Sequence, residues 1–183
     1  MIEHEGKHYA RVSEILVPFS DYSRIDPVIL DKKCKLGTSV HEAIDDFLND
    51  RFPFPLSEGW GYFYSFEKWW DQIKPTLIET EKRYFCDDKM ITGQIDALIS
   101  LPGSSESIVL DFKTSAQESP TWELQGHLYR YLLSPKENLS SRIFFLKLDK
   151  NGGLPKLFEY KFNSNTMAKC LKAIDDFWKI NES

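Results

Sequence analysis

Two carboxylates and a lysine stand near one another in this sequence: Asp96 closes Gly93-Gln94-Ile95-Asp96, and Asp111 and Lys113 flank Phe112. Residues 94–101 (QIDALISL) and 107–113 (SIVLDFK) have strand character, and Pro102-Gly103-Ser104-Ser105 between them has turn chemistry. A hairpin of that kind brings Asp96 close to Asp111. Neighbouring carboxylates repel unless a cation lies between them or one takes up a proton. All-oxygen ligands suit a hard divalent ion, Mg2+ or Mn2+. Lys113 lies two residues beyond Asp111 and so points to the same strand face. A metal, two acids and a lysine on one face suit hydrolysis of a phosphodiester.

These residues need a scaffold. Residues 8–18 begin with a short extended piece, and residues 27–50 carry a helical pattern, with Leu36, Val40, Ile44, Phe47 and Leu48 at helical spacing. Residues 51–59 form a loop broken by two prolines. Residues 60–74 are aromatic-rich and helical, ending near Pro75. Residues 77–86 alternate as a strand, and strands at 89–101 and 107–113 follow. Residues 120–134 form a helix with Ser119 as N-cap and Pro120 at its first position. Strands at 141–148 and 156–162 are joined by the loop Asp149-Lys150-Asn151-Gly152-Gly153, and an amphipathic helix covers 165–180. That order predicts an α/β layer fold with a mixed sheet.

The chain has 183 residues, the size of one domain with a sizeable core, spanning 1–183. The net charge of −5 argues against broad, tight, non-specific duplex binding, although 23 Lys and Arg can still cluster on one face. No apolar run approaches the roughly 18 residues of a membrane span, and the start MIEHEGKHYA is too polar for a signal peptide. The expectation is a cytoplasmic, intracellular protein with no membrane contact. Cys34, Cys86 and Cys170 form no C-x-x-C pair, so neither zinc nor an iron–sulfur cluster is expected.

Three further elements accompany the acids and the lysine. Gln125-Gly126-His127-Leu128-Tyr129 follows the lysine strand, and Gln125 and Tyr129 share a helix face one turn apart. Gly37-Thr38-Ser39-Val40-His41 lies within the first helical stretch, with Asp45 one turn beyond His41, either paired with it or solvated. Glu79-Thr80-Glu81-Lys82-Arg83-Tyr84 lies one strand before Asp96. Glu81 has the better spacing to Gly93, while Glu79 shares its strand face and stays open as the alternative.

With these elements the chain resembles the PD-(D/E)XK nuclease superfamily, in its RecB-like and phage exonuclease-like branch, over about residues 36–131. The resemblance implies a restriction-endonuclease-like core, a central mixed β-sheet flanked by helices. It implies Asp96, Asp111, Lys113, Glu81, His41, Gln125 and Tyr129 as catalytic residues. Asp96, Asp111, the Phe112 carbonyl, Glu81 and His41 are then the metal-holding groups, for Mg2+ or Mn2+. In that reading Lys113 orients water or steadies the phosphate, Gln125 and Tyr129 fix the lysine and the DNA backbone, and cleavage leaves a 5′-phosphate. The implied activity is a metal-dependent DNA exonuclease of phage or prophage recombination or repair, acting on DNA with a free end. A single-strand-binding or recombination partner and an oligomeric state are compatible with it. The alternatives are a structure-specific or restriction-like endonuclease and a non-catalytic recombination accessory protein. The aromatic run Trp60 to Trp70 reads as packing first and as a stacking platform for bases second. Lys68, Lys74, Lys82 and Arg83 are candidates to track phosphates.

Overall fold

The computed structural model describes residues 1–20, 26–134, 136 and 138–181. A short hairpin opens the chain, β1 (Ile2–His4) and β2 (Lys7–Arg11), followed by the single-turn helix α1 (Val12–Ile15). Helices α2 (Pro27–Leu48) and α3 (Trp60–Ile73) come next, then strands β3 (Thr76–Cys86), β4 (Ile91–Ser100) and β5 (Ser107–Lys113). Helix α4 (Thr121–Leu132) crosses to β6 (Leu139–Lys147), β7 (Lys156–Lys161) returns, and α5 (Ser164–Asn181) closes the fold.

All seven strands form one mixed sheet. β4 pairs antiparallel with β3 on one edge and with β5 on the other, and β5 runs parallel to β6 across the α4 crossover. β7 pairs antiparallel with β6. β2 joins β4 in parallel at Ile91 and Thr92. Ile91 already pairs with Cys86 of β3, so β2 must lie on the edge of β4 that β5 occupies further along.

β4 and β5 are nearly unbroken apolar runs because helices cover both faces. On one face, Val40, Ala43 and Ile44 of α2 and Phe63, Phe66 and Trp69 of α3 pack on Ala97, Ile99, Leu110 and Phe112. On the other, α1, α4 and α5 pack on Ile95, Leu98, Val109, Ile143 and Phe145. Asp26 caps α2, its Oδ1 accepting the Val28 N–H at 2.8 Å, with Pro27 at the first helical position where a missing N–H costs nothing.

The mixed sheet and its flanking helices agree with the sequence, with local corrections. The extended piece near residue 8 is half of a hairpin whose turn is Glu5-Gly6, both at positive φ. Helix α4 starts at Thr121 with Pro120 as cap residue; Ser119 Oγ accepts the Thr121 N–H at 3.3 Å. Within the aromatic run Phe63, Phe66 and Trp69 are buried core, Trp60, Tyr62 and Trp70 pack half-buried against it, and Tyr64 is exposed. Three of the proposed phosphate-tracking cations are engaged internally: Lys68 donates to the Gly152 carbonyl, Lys82 to Glu79 and Arg83 to Gln94. Among the described residues no helix is long and apolar enough to cross a membrane.

Glu79 ties β3 to the segment after α4. Its carboxylate accepts from Lys82 at 2.8 Å, from Lys136 at 2.9 Å and from the Tyr84 hydroxyl. Burial alone would raise its pKa, but these three donors pull it down to about 2. A carboxyl depressed in the folded state stabilises it above the unfolded value, about 4.3, and loses that contribution as pH falls through the folded value. The stability gap between wild type and Glu79→Gln is therefore expected to be constant near neutrality and to close on acidification from about pH 4.5 toward 2. Urea unfolding across that range measures it, and a gap that widens on acidification would refute the assignment.

Candidate active site

The site lies where the sheet forks. On the edge of β4 facing β5, β2 pairs with Ile91 and Thr92, and β5 pairs with Ala97, Leu98 and Ile99. Residues 93–96 lie between with no ladder partner on that edge. The register would set Asp96 opposite Asp111. Instead of a backbone rung, Asp96 Oδ2 accepts the Phe112 N–H at 2.7 Å, so a side chain completes what the ladder leaves open. The apolar alternation slips at the same place: Ile91 and Ile95 pack toward α4 and α5, whereas Ala97 and Ile99 pack toward α2 and α3.

Four elements supply the side chains around the fork. From α2, His41 Nε2 donates to the Phe112 carbonyl at 3.0 Å, while Nδ1 lies 3.4 Å from Asp96 Oδ1 and 4.0 Å from Glu81 Oε1. From β5 come Asp111 and Lys113, with Lys113 Nζ 2.6 Å from Asp111 Oδ1. From α4, Gln125 accepts from Lys113 at 3.0 Å through Oε1, and its Nε2 lies 3.1 Å from Asp111 Oδ2 and 2.9 Å from the Tyr129 hydroxyl. From β3 comes Glu81, in the left-handed region at φ 45°. His41, Glu81, Asp96, Asp111, Phe112, Lys113, Gln125 and Tyr129 thus meet in one connected cluster.

Glu79 does not join it. The pairing of β3 with β4 runs in step from Glu79 to Lys82, but the backbone turns into the left-handed region at Glu81, so the two acids part where plain alternation would keep them together. Asp45 does not pair with His41; it accepts from Arg51 at 2.6 Å and from Asn49 at 3.0 Å. Thr80 Oγ1 links α2 to β4, lying 3.0 Å from both Asp45 Oδ1 and the Asp96 carbonyl. Sequence reading passed over Thr80 and Gln94, although Gln94 lies inside the Gly93–Asp96 motif.

The electrostatics show a shortage of positive charge. Burial would lower the His41 pKa, but the Asp96 carboxylate, with help from Asp111 and Glu81, pushes it up to about 9. With Nε2 on a carbonyl and Nδ1 on a carboxylate, both ring nitrogens act as donors and the ring is an imidazolium. Burial and then Asp96 push Glu81 up to about 7. Asp111 is raised by burial and by Asp96 against the pull of Lys113. Burial pushes Asp96 up, but His41, Lys113 and the Phe112 N–H together hold it below the ordinary carboxylate value. Asp111 Oδ1 is buried without a hydrogen-bond partner; the Lys113 contact is an ion pair outside hydrogen-bond geometry.

This donor set fits a divalent cation. One ligand atom each from Glu81, Asp96 and His41 lies within 4.8 Å of the others, and His41 can serve as a ligand only once its Nδ1 gives up its proton in favour of the cation. Asp111 Oδ1, 2.6 Å from the Lys113 ammonium, lies outside that group, and the Phe112 carbonyl reaches it through His41. Oxygen-rich donors of this kind suit Mg2+ or Mn2+.

No family model matches the chain, and no curated protein matches it. Among solved structures it is similar to the protein SSO0001, at 16% identity over 100% of this chain and 80% of that one, with a TM-score of 0.55. It is also similar to an alkaline exonuclease, LHK-Exo, from Laribacter hongkongensis, at 9% identity over 95% of this chain and 88% of that one, with a TM-score of 0.52. At these identities the likeness shows the fold, a mixed sheet flanked by helices like that of a nuclease core.

Two outcomes follow from the geometry. A Cβ on Gly93 would fall 2.8 Å from Tyr129 Cε1 and 2.9 Å from Leu132 Cδ1, so α4 packs at a distance only glycine allows. Gly93→Ala is expected to cost about 1–3 kcal/mol in chemical unfolding, as overpacking does. In the metal-free protein the His41 ring is expected to titrate near 9 by NMR, and at a clearly lower pH in Asp96→Asn, where burial acts with less opposition. An unchanged midpoint in that variant would rule out Asp96 as the partner.

Proposed function

We propose that this chain is a divalent-metal-dependent deoxyribonuclease that hydrolyses phosphodiester bonds, with exonucleolytic action on DNA ends as the leading form. The observation that carries the reading is the convergence of Asp96, Asp111 and Lys113 at the unpaired stretch of β4, with His41, Glu81 and Gln125 around them. The fold alone would not license it, because one fold hosts many chemistries. The likeness to an alkaline exonuclease favours a nuclease over a binding protein, and no polar position of the motif set is lost.

The roles follow from the contacts. Glu81, Asp96 and Asp111, with the Phe112 carbonyl and His41, are the groups that would hold the cation. A bound divalent ion would supply Lewis-acid activation of water and offset the negative charge on phosphate. Lys113, pinned between Asp111 and Gln125, presents its ammonium group to the charge that grows on the phosphate oxygens as the P–O bond breaks. Gln125 keeps that lysine in place, and the Tyr129 hydroxyl holds Gln125 in turn. His41 neutralises Asp96 when no cation is bound and anchors the Phe112 carbonyl. The same reading assigns the enzyme to phage-type recombination or repair and leaves a 5′-phosphate on the product.

End-labelled linear and covalently closed DNA, single- and double-stranded, incubated with Mg2+, Mn2+ or EDTA, tests this. Shortening of linear DNA alone, abolished by EDTA and by Asp111→Asn and reduced about 10²–10³-fold in Lys113→Met, is the expected result. Cutting of closed circles would replace the exonuclease with an endonuclease. Metal-independent cutting, or full activity in Asp111→Asn, would overturn the assignment.

A further inference from the structure

Glu81 is held by a relay that the roles above do not use. Arg83 on β3 and Gln94 on β4 are register partners. Arg83 Nη2 donates to Gln94 Oε1 at 2.6 Å, and Gln94 Nε2 donates to Glu81 Oε2 at 2.6 Å. Glu81 Oε1, the oxygen left over, is the one that faces His41 at 4.0 Å. All three side chains of the relay are half-buried.

The order of the relay has a chemical cause. A glutamine amide can present either end to a neighbour, but a guanidinium has only donors. Arg83 therefore captures the amide oxygen and leaves the amide N–H groups facing the carboxylate. Reversed, the amide would set its oxygen against Glu81 and its N–H groups against Arg83, and both contacts would repel. Glu81 needs such a tether because its left-handed backbone is unfavourable for a residue with a Cβ and persists only when the surroundings fix it.

We propose that Arg83 and Gln94 are positioning residues for the Glu81 carboxylate, and that Arg83 acts only through Gln94. The inference rests on the metal-dependent reading above. It also gives Arg83 a role other than phosphate tracking, because its Nη2 is bound to the Gln94 amide oxygen.

Calorimetric titration of Mn2+ into the full chain tests it, beside thermal unfolding and DNA binding in EDTA. The proteins are wild type, Gln94→Met, Arg83→Met, the double variant and Arg83→Lys. Each Met variant is expected to bind Mn2+ about 10-fold more weakly, the usual effect of losing a group that orients a ligand. The double variant is expected to lose about the same 10-fold, because Arg83 has no route to Glu81 once the amide is gone. Arg83→Lys, which keeps a donor for the amide oxygen, is expected to stay closer to wild type. Wild-type affinity in Gln94→Met, losses that multiply in the double variant, or weaker DNA binding by Arg83→Met in EDTA would each overturn the proposal. If Gln94→Met unfolds, wild-type affinity in Arg83→Met does so. Absence of Mn2+ binding by the wild type would remove the metal reading itself, whereas normal wild-type binding with an unaffected Gln94→Met removes the relay alone.

Discussion

Three carboxylates share the mouth of the sheet fork, and that crowding governs the rest of the site. Asp111 is 1% exposed and Asp96 7%, so water cannot screen them. Two cations answer the charge from within the chain, His41 against Asp96 and Lys113 against Asp111. They leave Glu81 and Asp111 with pKa values raised by burial and by Asp96, and one Asp111 oxygen without a hydrogen bond. Buried polar atoms are rarely left unsatisfied in a folded protein, and the exceptions mark places built for something else. The Asp111 oxygen rests against the Lys113 ammonium at 2.6 Å, and oxygen-rich surroundings of this kind suit a hard divalent cation.

The fold makes that crowding bearable by interrupting its own hydrogen bonding. β4 changes partners along one edge, from β2 to β5, and the change leaves a stretch with free backbone positions and a reversed alternation of side chains. Asp96 lies at that reversal and takes the Phe112 N–H in place of a rung. The neighbouring carbonyl of Phe112 is then free of β4 and faces His41. Packing locks the arrangement from both sides. Phe112 is buried against Phe66, and Gly93 lets the Tyr129 ring sit directly on β4. The chemistry and the core are one construction, so α4 cannot move away without pulling Gln125 from Asp111 and Lys113.

What the sequence disclosed divides along the same line. The elements carrying the site were legible because long apolar runs and helical spacing are strong signals; β4, β5, α2 and α4 fall where the pattern sets them. The meeting of Asp96 with Asp111 was legible from one turn between two strands. Less visible were features that depend on backbone irregularity. Glu79 and Glu81 look equivalent by alternation, and only the positive φ at Glu81 separates them. Ser119 carries cap chemistry, yet the helix begins one residue later than that chemistry suggests. The β1–β2 hairpin is too short for periodicity to register, and its one cue is Glu5-Gly6. Gln94 was hidden in plain view: its role comes from a neighbour on another strand, which sequence spacing does not encode.

The net charge of −5 then takes on a specific meaning. Most of the cations near the site that looked available to a phosphate backbone are consumed by the protein. Lys82 and Lys136 neutralise Glu79, Arg83 holds Gln94, and Lys68 closes the turn at Gly152. Among the described residues Lys113 is the ammonium in the cluster itself, and it is already shared with Asp111 and Gln125. A phosphate approaching the metal-free fork meets three carboxylates whose two internal cations, His41 and Lys113, are already engaged with Asp96 and Asp111. Attraction for a polyanion in the nuclease reading therefore has to arrive with the cation, and affinity for substrate and competence for hydrolysis become linked through the same few oxygens. In that reading the placement of each carboxylate matters more than surface charge, which is the ground on which a half-buried arginine and glutamine behind Glu81 are proposed to act through it.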